Sequence, residues 1–125
     1  QNIAKERLVK AWIDYQYAEE ESPWKQRLLW AQHRLWQLTD EDPELVWQLI
    51  QQILSVDASI TIMRNLAAGP LEDLLVQHGR DFIDRVEAEA LRNEQFRMLL
   101  GGVWQSEDMP NDVWTRLEAI PTKRW

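Results

Sequence analysis

The chain has 125 residues, a formal net charge of −7, eight tryptophans and no cysteine. That length suits one domain able to bury a core without staples, and the missing cysteine excludes disulfides, thiol catalysis and zinc–thiolate sites and fits a reducing cytoplasm, the expected location. Acidic side chains spread along both halves repel phosphates and anionic membranes, so no nucleic-acid or membrane partner is expected, whereas a basic protein would be drawn to them.

Scarce glycine and proline disfavour a turn-rich β-fold, and no alternating run is present. Cap and proline punctuation divides the chain into about eight short helices. The first runs from about Ile3 to Glu20, with Leu8, Val9, Trp12 and Ile13 on one side. Glu19–Glu21 opposes the macrodipole at its end. Asn2–Lys10 is mixed and charged, unlike the apolar core of a signal peptide. Ser22–Pro23 reads as N-cap and first position of a second helix to Leu38, with a stripe of Trp24, Leu28, Ala31, Leu35 and Leu38. Asp42–Pro43 repeats the signal for a third helix to Leu54. Asp57 or Ser59 caps a fourth that ends at Gly69. Pro70 opens a fifth, which Gly79 closes as a left-handed cap. A sixth covers Asp81–Arg92, Asn93 separates a seventh that ends or bends at Gly101–Gly102, and Pro110 or Asn111 begins the last. Many short helices with tight connections predict an all-α single domain of antiparallel pairs, in an α-solenoid-like or irregular orthogonal array.

No sequence motif announces chemistry. His78, beside Gly79 at an expected helix end, reads as a capping or packing histidine; with His33 the only other one, no metal site is expected. No serine sits in a nucleophile elbow and no glycine-rich phosphate loop exists, so no cofactor is expected. Glu72 and Asp73 fall in the first turn after Pro70, where carboxylates complement the helix dipole; as neighbours they point about 100° apart and form no acid–base pair. Trp24, Trp30 and Trp36 are spaced by six and point in three directions around one helix, so a one-sided helix cannot bury all of them. Trp24 belongs to the core stripe, Trp36 suits a sandwiched position, and Trp30, flanked by Arg27 and Arg34, is as well suited to a binding patch as to the core.

The segments LAAGPLEDLL (66–75), FIDRVE (82–87) and LLGGVW (99–104), with Val113–Trp114, Arg116, Ala11–Trp12 and DPELVW (42–47), resemble a bacterial domain-of-unknown-function family of small helical proteins. The resemblance spans Leu8 to Leu117 and brings no activity with it. It implies a free-standing helical protein of the kind that travels with toxin, secretion or defence genes. The reading is a non-enzymatic protein-binding module, an immunity or antitoxin-type protein neutralising a basic effector. Trp30, Arg27, Arg34, Glu72 and Asp73 are the candidate binding residues. The alternatives are an enzyme using Glu72, Asp73 and His78, or a scaffold or regulatory subunit.

Overall fold

The computed structural model describes residues 2–125. Helix α1 (Asn2–Tyr17) buries Leu8, Val9, Ala11, Trp12 and Ile13, of which Leu8–Trp12 and Val9–Ile13 are pairs spaced by four on one face. It stops at Tyr17, earlier than the expected Glu20. Three consecutive glutamates face the negative end of the dipole, and Glu21 turns the chain in the left-handed region at φ 64°.

Helix α2 (Pro23–Glu41) starts as its sequence dictates: the Ser22 hydroxyl accepts the Lys25 N–H and Pro23 occupies the first turn. It continues through Thr39, whose buried hydroxyl bonds back to the Leu35 carbonyl. Asp42 then serves twice, ending α2 through its N–H to Leu38 and capping α3 (Pro43–Val56) through its carboxylate to the Leu45 N–H. Of the two candidate caps for α4 (Ile60–Leu66), Ser59 takes the role and holds the Ile62 N–H. Asp57 instead accepts from the Ser59 N–H and the Tyr17 hydroxyl, tying this corner to the end of α1.

The main departure from expectation lies at Ala67–Leu71. Gly69–Pro70 does not separate two helices. A single π-helical turn (Ala67–Leu71) carries α4 straight into α5 (Glu72–Arg92). A proline in an α-helix loses one hydrogen bond and presses its ring on the carbonyl four residues back; widening the turn relieves both faults locally. Gly79 closes no helix either, since no glycine has a positive φ among the described residues. The chain bends one residue earlier, at His78 (φ −134°, ψ 22°), and α5 resumes. A Cβ at Gly79 would meet both Val113 methyls at 2.9 Å, so glycine is needed there for close packing.

Asn93 caps α6 (Glu94–Leu100), and α7 (Asn111–Glu118) follows Pro110. With Ile60–Arg92 counted as one rod, the described residues hold six helices instead of about eight, and no strand. Helix α1 packs on α2, α3 and α4, while α5 meets α2, α3, α6 and α7. In a solenoid each repeat touches only its neighbours, so this many-sided contact pattern departs from linear stacking. One core runs through every helix, with Trp47 set between Phe82, tilted at 5.9 Å, and Phe96, edge-on at 5.5 Å.

Gly101–Gly102 seats the C-terminal residues. The Trp125 N–H bonds to the Gly101 carbonyl, and the Arg124 guanidinium donates to the carbonyls of Leu100 and Val103. A Cβ on Gly101 would lie 2.1 Å from the Lys123 carbonyl oxygen, and one on Gly102 would enter the Trp125 ring.

Candidate functional site

Helix α2 presents all three of its tryptophans to solvent. Trp24 is 51% exposed, Trp30 46% and Trp36 66%, while Trp12 of α1 is buried. Two of these positions correct the sequence reading. Trp24 lies on the apolar stripe but in the first turn of α2, and Trp36 is not sandwiched. Trp36 sits 100° round the helix from Leu35, off the buried edge that Leu28, Ala31, Leu35 and Leu38 define.

The candidate binding residues separate onto two faces. Trp30 and Arg34 line a groove of about 280 Å³ with Lys5, Leu8, Leu38, Leu45 and Leu49. Arg34 is engaged there by Glu41 at 3.1 Å, and Arg27 is exposed but does not line the groove. The cation–π pairs among the described residues involve Tyr15, Phe82 and Trp114, so neither arginine stacks on Trp30. With Arg34 paired to Glu41, Lys5 leaves the groove a positive charge and no carboxylate lines it, so it offers a basic partner no counter-charge.

Asp73 lies elsewhere, in a cleft of about 150 Å³ between α2 and the π-helical turn. Trp12 and Leu35 form its apolar part. Gln32, His33 and Trp36 come from α2, and Gly69, Pro70 and Asp73 from the rod. The π turn builds one wall, and a Cβ at Gly69 would find nothing within 4 Å. Glu72 stands next to the cleft without lining it. Both carboxylates are half-buried, and among the described residues neither has a hydrogen-bond or ion-pair partner. Burial pushes the Asp73 carboxyl above its ordinary value; burial and then the Asp73 charge do the same to Glu72.

The helix-start explanation for this pair fails. Glu72 and Asp73 sit twelve and thirteen residues into a continuous rod from Ile60, not at a free N-terminus. A favourable dipole would lower their pKa values, opposite to the direction found.

His78 does not join them. Its Nε2 lies 2.8 Å from the Thr39 carbonyl oxygen. In an α-helix that carbonyl would accept from residue 43, which is a proline without an N–H. His78 Nε2–H therefore donates to an acceptor that Pro43 leaves orphaned, and lines a separate small cavity by Arg80 and Pro110. Among the described residues no three His, Asp or Glu side chains converge as a metal site would require, and no helix is long and apolar enough to cross a membrane.

Two larger furrows have most of their charges engaged, Glu6 at the first being the exception, and neither is lined by an aromatic side chain. One, of about 370 Å³ along Val9, Ile13 and Val56, is flanked by the Lys10–Asp14 pair. The other, of about 400 Å³ along Ala90, Leu91 and Ile120, is flanked by Arg116 bound to Asp84 and Glu87, and by Arg97 bound to the Ala90 carbonyl. The cleft at Asp73 alone among these combines an exposed aromatic wall with an uncompensated carboxylate.

Sequence reasoning named Asp73 among the candidate binding residues but missed Trp36 and His33 as its neighbours in the cleft. The available signal was the angular offset of Trp36 from the buried stripe.

The molecule is thus an all-helical domain with an acidic surface and a small aromatic–carboxylate cleft. It belongs to a family of unknown function, DUF6869, whose model matches residues 18–125. No curated protein and no solved structure matches the chain.

Proposed function

We propose that the protein is a non-enzymatic binding module of the immunity or antitoxin type, working in the cytoplasm without a cofactor, whose acidic surface engages a basic effector. The observation that carries this reading is Trp36, two-thirds exposed, across a cleft from the unpaired Asp73 on a surface of net charge −7. Exposed aromatic anchors supply binding energy once a partner desolvates them, and dispersed charge of one sign speeds encounter with the opposite sign. The anchor therefore moves from Trp30, in its locally basic groove, to Trp36. The test is capture of partners from the native host, followed by affinity measurement on the identified complex. We expect a basic partner, an affinity that falls as salt rises, and a loss of about 2 kcal/mol or more for Trp36→Ala. Substrate turnover that depends on Asp73 and His33, with no protein partner bound, would favour an enzyme instead.

A further inference from the structure

We infer that the cleft between α2 and the π-helical turn receives the head of one arginine side chain from a partner, an inference that rests on the binding-module reading and gives it a recognition chemistry. The cleft, at about 150 Å³, falls short of the roughly 300–1,000 Å³ typical of pockets that enclose whole small molecules, and suits the end of a single long side chain. Its chemistry selects a cation. Asp73 is a half-desolvated carboxylate with no counter-charge among the described residues, and Glu72 beside it adds negative potential. An anion would face the Asp73 carboxylate, and a metal ion would lack a third ligand among the described residues. Trp36 supplies an indole wall, and a planar guanidinium can stack on such a face while donating two parallel N–H bonds to a carboxylate. A lysine ammonium has the charge without the plane or the fork, so arginine is preferred. Gln32 accepts from Gln16 Nε2 through its Oε1, which fixes that end of the side chain at the rim.

The decisive probes are N-acetyl-arginine amide and its citrulline counterpart, which keeps the shape and removes the charge. Each is titrated into the ¹⁵N-labelled protein, following amide and indole N–H signals. We expect arginine to shift the Trp36 indole and the amides of His33, Gly69 and Asp73 in a saturable way, with citrulline shifting them far less. Trp36→Ala and Asp73→Asn should each weaken the arginine response about five-fold or more, the scale of one lost cation–π or charge-assisted contact. Equal responses to the two probes, shifts centred on Trp24 or Trp30, or undiminished binding by Asp73→Asn with an otherwise native spectrum would each overturn the inference. The outcomes separate it from the broader reading: partner binding that needs Trp36 while both probes act alike leaves a binding module without an arginine receptor. Selective arginine binding with no Trp36-dependent partner leaves the receptor without that function.

Discussion

Two tryptophans on facing elements show how burial divides the work. Trp12, 2% exposed, fills the core beneath the cleft, so Trp12→Ala should cost about 3–5 kcal/mol of stability in a denaturant titration. Trp36, 66% exposed, supports little, and its alanine variant should stay within about 0.5 kcal/mol of the parent. Asp73 carries the opposite sign. Burial pushes its folded-state pKa above the ordinary value, so the folded chain holds the proton more tightly than the unfolded chain does. Stability then falls as pH rises from the unfolded value through the folded one, and the penalty is present wherever the folded carboxyl is ionised. Asp73→Asn should therefore raise the melting temperature at pH 7, and that gain should shrink at pH 3, where the parent carboxyl is protonated. A lower melting temperature at pH 7 would mean that Asp73 stabilises the fold. His78→Ala should cost about 1–3 kcal/mol, because it orphans the Thr39 carbonyl.

At the scale of elements, two glycines make opposite expectations. A Cβ on Gly69 finds nothing within 4 Å beyond its chain neighbours and its φ is not positive, so Gly69→Ala should stabilise by at most about 0.5–1 kcal/mol through the unfolded chain, reduced by its crowding of the Pro70 ring. Gly79→Ala drives a methyl to 2.9 Å from the buried Val113 and should destabilise by about 1–3 kcal/mol. Urea titrations of the pair decide between a continuous rod and two helices broken at a left-handed glycine, where Gly69→Ala would destabilise instead. Most helix starts were legible because each depends on a short-range cap: Ser22, Asp42, Ser59 and Asn93 all hold an N–H of the following turn. The rod through Gly69–Pro70 was not legible, because glycine followed by proline carries the local signature of a break. What sustains the helix there is burial of Leu66, Ala67 and Leu71 on both sides of the faulted turn, a tertiary effect. The role of Gly101–Gly102 was hidden for the same reason, since its partner lies over twenty residues away.

At the scale of the whole molecule, net acidity was readable from composition, but the division of candidate residues between two faces was not. Trp30 with Arg34 and Trp36 with Asp73 lie in separate depressions because six residues turn a helix by 240°. Only the packing of the rod against α2 shows which tryptophan meets a carboxylate. The most direct test of that assignment is the affinity of the native partner for the parent protein, Trp36→Ala and Trp30→Ala, each at low and high salt. We expect Trp36→Ala to weaken binding by about thirty-fold or more while Trp30→Ala changes it little, with parent affinity falling as salt screens charges beyond about 10 Å. A partner that ignores Trp36 and salt, or that depends on Trp30 instead, would contradict the assignment of the acidic cleft as the binding site.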